Sequence, residues 1–143
     1  MREILFRGKR IDNGEWVEGY LIHDKHDGLY RIVIKLEYST GTYIVTGFAP
    51  RVNVKTVGQY TGLTDKNGKR IFEGDIVAQS WYDFDEPADD SFGEVIFSVA
   101  DCSFSILDFN KNEIMSMGQG RAYHWEAEVI GNIHDNSELM KDK

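Results

Sequence analysis

The chain is short of cysteine, of proline and of long apolar runs, and each shortage narrows what it can be. A single cysteine, Cys102, cannot close an intrachain disulfide, which sets aside the disulfide-stapled secreted scaffolds and fits a reducing cytoplasm. No apolar stretch nears the roughly 20 residues that span a bilayer. The opening Met1-Arg2-Glu3-Ile4-Leu5-Phe6-Arg7 is charged from its second residue, unlike a signal peptide. The expectation is a cytoplasmic protein without membrane contact. What is present, 41% hydrophobic and 28% charged residues over 143 positions, reads as globular and long enough for one domain or two small ones.

Cations are scarce in the second half. The chain has 16 Lys+Arg against 24 Asp+Glu, a net charge of −8. Residues 1–71 hold 12 basic and 8 acidic side chains, and residues 72–143 hold 4 and 16. Two arrangements answer to this polarity: the halves mingle their charges on one surface, or the ends meet a partner.

Composition favours strands. Ile and Val number 23 against 13 for Leu and Ala, 18 aromatics add to the strand-forming side, and 14 glycines against 2 prolines suit short strands joined by tight turns. Residues 29–38 alternate most clearly, with Tyr30, Ile32, Ile34, Leu36 and Tyr38 on one face and only Val33 breaking the polar one. Before them, Ile4-Leu5-Phe6-Arg7 and the run from Trp16 to Ile22 predict a pair around Asp12-Asn13-Gly14, a step that supplies the positive φ of a hairpin turn. Further strands are predicted at residues 43–45, 54–60, 71–79, 94–99, 104–109 and 122–133. In the last, Tyr123, Trp125, Ala127 and Val129 share a face opposite His124, Glu126 and Glu128. Near the C-terminus one helical turn is predicted, capped by Asn136 or Ser137. Residues 82–91 hold Asp83, Asp85, Glu86, Asp89 and Asp90 with no cation, and predict a solvated excursion between strands.

The run from Gln59 to Val77, which contains Tyr60, Gly62, Asp65, Asn67, Gly68, Glu73, Gly74 and Asp75, resembles the signature of the YopX-like proteins of phages and prophages. The stretch from Val129 to Asn136, with Gly131 and Asn132, is similar to that family's C-terminal motif, and Leu5-Phe6-Arg7-Gly8-Lys9 to its usual start. Ser137 stands where the family often has proline, and the acid-rich segment is a local elaboration. The resemblance implies a mainly β protein with little helix. It implies an SH3-like roll or small barrel in residues 59–143 and an antiparallel N-terminal sheet in residues 1–58 packed on it. It implies no activity. The motif residues themselves read as turn chemistry: Asp65-Lys66-Asn67-Gly68 is one turn and Glu73-Gly74-Asp75 another, with aspartates able to accept from the turn's own N–H groups.

Motifs that would carry catalysis or cofactors are weak. His23-Asp24-Lys25-His26-Asp27 has two histidines but no third ligand nearby, and reads as a turn completed by Gly28. The acidic segment lacks the spacing of a calcium loop. Gly118-Gln119-Gly120 has no third glycine, with Tyr123 in its place, and no G-x-S-x-G occurs. His124, Glu126 and Glu128 could serve acid–base chemistry if buried. No cofactor and no metal are expected. The leading expectation is a non-catalytic module that binds protein, itself included. Its candidate surface is Arg2, Arg7, Lys9 and Arg10 at one end and Asp83, Asp85, Glu86, Asp89 and Asp90 at the other. The alternative is a nucleic-acid-binding barrel that uses the basic strip and exposed aromatics such as Trp16 or Trp81, against the opposing field of the net charge.

Overall fold

The computed structural model describes residues 2–39, 44–83, 86–110, 112–116 and 124–141. Its strands are β1 (Phe6–Arg10), β2 (Trp16–His23), β3 (Tyr30–Val33), β4 (Lys35–Ser39), β5 (Ile44–Phe48), β6 (Val52–Thr64), β7 (Arg70–Phe72), β8 (Asp75–Asp83), β9 (Glu86–Ser98), β10 (Ser103–Leu107), β11 (Glu113–Ser116) and β12 (His124–Asn132). One 3-10 turn, Ser137–Met140, follows. The protein is mainly β, as composition predicts, and divides into two compact units, Met1–Tyr60 and Thr61–Lys143.

In the first unit the strands lie in the order β3-β2-β1-β6, all antiparallel. The pairing then returns to its start. Arg31 bridges Arg51, and the Ile32 N–H donates to the Pro50 carbonyl at 3.2 Å, so the residues that lead into β6 lie against β3 and the sheet closes on itself. Closure leaves little room inside. Beside Gly8, a Cβ would sit 3.2 Å from Val52 Cβ and 3.3 Å from Ile32 Cδ1, and at Gly19 it would collide with the Val33 carbonyl oxygen. Ile32, Val33 and Val52 are the buried apolar residues around this point.

The strand predicted over residues 29–38 breaks at Ile34, which is 44% exposed, while Val33 is buried. Val33 was the one apolar residue out of phase, and the structure shows why: β3 belongs to the closed sheet, whereas β4 leaves it to form a two-stranded ribbon with β5. The Ile34 N–H still donates to the Phe48 carbonyl at 2.9 Å, so the change of partner costs no backbone bond there.

In the second unit β11-β10-β9-β8-β12 form an antiparallel sheet. Ile71, Val77, Val95, Ile106 and Ala127 make its core, with Leu63 and Val129 packed against them. The strand predicted over residues 71–79 is two, β7 and β8, divided at Glu73-Gly74, where Gly74 has φ +84°. β11 was not foreseen, since Glu113-Ile114-Met115-Ser116 is too short to show a period. Gly118-Gln119-Gly120, Tyr123, Phe84 and Asp85 lie outside the described residues. The excursion predicted over residues 82–91 is a correction: β8 and β9 stay paired to Asp83 opposite Glu86. Trp81 and Tyr82, both strong strand formers, carry the hairpin outward despite the acids. Asn136 stands at the N-cap of the last turn, as predicted, but makes no side-chain cap bond; its Oδ1 instead accepts from the Asn132 N–H at 3.2 Å. Among the described residues no helix is long and apolar enough to cross a membrane.

Candidate functional site

In the first unit, β6 carries the irregularity that shapes the surface. Arg7 of β1 is registered with Gly58 and Lys9 with Asn53, so β6 places four residues opposite Gly8 alone. Thr56, buried, fills the resulting bulge. Its Oγ1 accepts from the Lys9 N–H at 2.8 Å and donates to the Asn53 carbonyl at 2.6 Å. The bulge leaves Val52 buried but Val54 49% exposed, two residues on. At the neighbouring β1–β2 turn Ile11 is 59% exposed, between Arg10 and an Asp12-Asn13-Gly14 turn whose glycine has φ +71°. Together with Leu29 and Tyr30 these residues line an open groove of about 590 Å³. Among the described residues, Lys9 and Arg10 are the charged ones that line it, and no carboxylate does. Thr56→Val keeps the shape but removes both bonds; it is expected to cost about 1–2 kcal/mol and to flatten the groove. The midpoint of denaturant unfolding, compared between wild type and variant, checks this.

The basic strip does not act as one patch. Arg7 is buried, with its guanidinium 4.8 Å from the centre of the Trp16 ring, and Lys9 Nζ lies 5.4 Å from the same ring. Trp16, expected among the exposed aromatics, is half-buried between β1 cations. Arg10 donates to both Asp12 carboxylate oxygens, at 2.8 and 2.6 Å, and lies 5.3 Å from the centre of the Phe48 ring. The bond to Arg10 draws the Asp12 carboxyl below its ordinary range and raises Arg10. Arg2 is exposed and lines a separate depression of about 470 Å³ with Tyr20 and Leu21.

The histidine segment is a turn. Asp24 Oδ1 accepts from the His26 N–H, Asp27 Oδ1 from the Leu29 N–H and Asp27 Oδ2 from Arg31 at 2.7 Å. The Leu29 N–H is the leading reason that the Asp27 carboxyl lies below its ordinary range, and Arg31 adds to it. His23 stacks flat on Tyr30, with centroids 4.3 Å apart. Among the described residues no three His, Cys, Asp or Glu side chains converge as metal ligands would. Glu128 pairs with Lys66 at 3.1 Å at the surface. Glu126 is registered with Ser80, and the His124 side chain lies outside the described residues. Exposed Cys102 takes φ +52° in the β9–β10 turn and donates its thiol to the Val99 carbonyl at 3.6 Å.

The two long motifs meet. Asp65 is buried and its carboxylate accepts from the Asn67 and Lys69 N–H groups at 2.9 Å and from the Val129 N–H at 3.1 Å. Lys66 donates its N–H to Ala127, so the turn docks on the outer edge of β12. Burial works against the charged form, but the three N–H groups and the nearby Lys69 charge outweigh it, and the carboxyl lies below its ordinary value. Asp75 is 1% exposed and accepts from the Phe72 N–H at 2.8 Å. It is registered with Asn132, whose Oδ1 accepts from the His134 and Asp135 N–H groups. At Gly131 a Cβ would lie 2.7 Å from Asn136 Oδ1. Gly74 donates to the Val95 carbonyl and accepts from the Ile133 N–H, which ties both motifs to β9. Tyr60 is buried in the first unit. Gly62 and Gly68 have φ +88° and +80°, and Glu73 adjoins the Gly74 turn.

These segments are the ones by which a family can be recognised, and the YopX protein family matches residues 5–141. The chain belongs to the YopX family. A crystal structure of protein EF1440 from Enterococcus faecalis is similar to this YopX chain at 25% identity and TM-score 0.53, over 99% of this chain and 100% of that one. No curated protein matches it.

The groove residues Ile11, Leu29, Val52 and Val54 were not singled out by sequence. The one available signal was an isoleucine set directly before an Asp-Asn-Gly turn, a position that strand pairing does not bury.

Proposed function

We propose that this chain is a non-catalytic protein-binding module, acting in the cytoplasm in the phage or prophage setting that the family resemblance implies, and that the groove of the first unit is its contact surface. The observation that carries the reading is the groove itself. It is apolar at Ile11, Leu29, Tyr30 and Val54, has Lys9 and Arg10 on its wall and no carboxylate among the described residues, and its volume is of the size that takes a few side chains. Exposed Ile11 and Val54 are what an interface would cover. A phosphate-binding reading has less to stand on, because Arg7 is buried against Trp16 and Arg10 is paired with Asp12.

The test is selection of a random peptide library on the full chain. Bound peptides are expected to be rich in aromatic and aliphatic residues, because Arg10 is already paired with Asp12. They should lose about tenfold in affinity, the scale of one buried interface contact, when Ile11→Glu or Val54→Glu places a carboxylate in the groove. Both positions are exposed, so circular dichroism should show the fold unchanged. Selected peptides indifferent to both variants would place the binding surface elsewhere.

A further inference from the structure

The chain has two Asn-Gly steps, Asn13-Gly14 and Asn67-Gly68, and the fold uses both as turns with the glycine at positive φ, +71° and +80°. Asparagine is among the chemically labile residues, and most of all before glycine. The glycine nitrogen can attack the carboxamide carbon of the asparagine, and a residue without a side chain leaves that nitrogen open to approach. Since the dipeptide is the same at both places, the difference between them lies in how each turn holds the reacting groups.

The nitrogens are held alike. The Gly14 N–H donates to the Arg10 carbonyl at 3.0 Å and the Gly68 N–H to the Asp65 carbonyl at 2.9 Å. At neither glycine does any atom lie within 4 Å of where a Cβ would stand. The carboxamides differ. Asn13 Oδ1 accepts from the Glu15 N–H at 2.9 Å and its Nδ2 donates to Glu15 Oε2 at 3.2 Å, so both ends of that amide are fixed. Asn67 commits only its main-chain N–H, to Asp65 Oδ1 at 2.9 Å. Among the described residues its exposed carboxamide makes no hydrogen bond, and it can turn toward Gly68. Charge points the same way. The attacking nitrogen must first lose its proton, which a nearby cation favours and a carboxylate opposes. At Asn13 the Glu15 carboxylate touches the amide itself, while Arg10 and Asp12 offset each other. At the other turn Lys66 and Glu128 offset each other, and the Lys69 charge, with exposed Arg70 beside it, stands against the buried Asp65 carboxylate.

We propose that Asn67-Gly68 is a site of self-modification that loosens the turn docked on β12. Hydroxide takes the Gly68 N–H proton, the nitrogen bonds to Asn67 Cγ, the Cγ–Nδ2 bond breaks and ammonia leaves. Water then opens the imide at one carbonyl or the other, leaving aspartate or isoaspartate at position 67. One water is consumed and one ammonia released, with nothing oxidised or reduced. Isoaspartate adds a methylene to the main chain between the two N–H groups, of residues 67 and 69, that Asp65 Oδ1 holds together. The bonds from this turn to Ala127 and Val129 weaken with it.

The experiment ages the full chain, with Asn67→Gln and Asn13→Gln as variants, at mildly alkaline pH, folded and in guanidinium. A glutamate-specific protease puts the two sites on separate peptides, mass spectrometry follows amide converted to acid in each, and an isoaspartate methyltransferase counts isoaspartate. The ratio of conversion at Asn67 to that at Asn13 should be several times higher in the folded chain than in guanidinium. Asn67→Gln should remove the fast conversion and Asn13→Gln should leave it. Aged wild type should unfold at a lower denaturant midpoint than fresh protein, and aged Asn67→Gln should not. A ratio no higher when folded overturns the proposal, and so does an unchanged midpoint once isoaspartate has formed.

Discussion

Replacing Gly93 by alanine is expected to abolish stable folding of the second unit. Gly93 lies in β9, in the middle of its sheet, registered with Val77 on β8. The Leu107 carbonyl oxygen occupies the place of a Cβ, with the Leu107 carbonyl carbon at 2.8 Å and Ile106 Cγ2 at 2.7 Å. A flexible side chain could step aside, but here the obstacle is backbone of β10, and moving it disturbs Val95 and Ile106 in the core. Overpacking a core costs about 1–3 kcal/mol where side chains can adjust. With backbone in the way the loss should reach about 4 kcal/mol, a large share of a domain's total stability. Denaturant unfolding followed by near-ultraviolet circular dichroism reads it. Gly93→Ala with a wild-type midpoint would show that β10 can shift freely and that the close approach is not a constraint. Gly14→Ala is the contrast, because a Cβ there meets no atom within 4 Å and only its φ of +71° opposes the change.

The second large effect is expected at Asp65. Its carboxylate accepts three backbone N–H groups, two within its own turn and one from Val129 on β12. Asp65→Ala leaves these donors without that acceptor in a buried place, at about 1–3 kcal/mol each where water cannot enter. About 3 kcal/mol in total is a fair expectation after relaxation. Asp65→Asn keeps the volume and one acceptor oxygen, and should lose less. The pH dependence has a definite sign. Burial alone would raise the Asp65 carboxyl, but the bonds from Val129, Lys69 and Asn67 and the Lys69 charge bring it below its ordinary 3.8. A group depressed in the folded state contributes stability that is fully present above that ordinary value. The contribution is lost as pH falls from about 3.8 through the lower folded value. Stability measured across this acid range should therefore fall more steeply for wild type than for Asp65→Asn. Equal slopes would show that the carboxylate is not what the turn depends on.

Much of this architecture was legible in the residues, and where it was not the reason is physical. The Asp12-Asn13-Gly14 hairpin and the Asp65 turn rest on local chemistry, a positive φ at glycine and a side chain that bonds its own turn, and local chemistry shows in sequence. The break at Ile34 was not legible, because alternation records which residues are apolar but not which strand they pair with; only Val33, out of phase, hinted at the switch. Acid-rich residues 82–91 look like a solvated excursion in sequence, but the strand preference of Trp81 and Tyr82 outweighs their charge and the pairing runs on to Asp83. The groove was least legible of all. It depends on the bulge that Thr56 fills, a pairing between residues 9 and 56, and no window along the chain contains it.

The return of the first sheet from β6 to β3 has a consequence for synthesis. β1, β2 and β3 are complete by Val33, yet β3 takes its second partner only when Arg51 reaches Arg31, and β1 only when Val52 comes opposite Arg10. Until then the emerging three-stranded meander presents two open edges. The ribbon of β4 and β5, made wholly from the intervening chain, shortens that interval: a hairpin of local contacts forms faster than a distant pairing and brings Pro50 and Arg51 back toward β3 before β6 is fully made. On this view the ribbon also serves folding, by shortening the time for which those edges stay open.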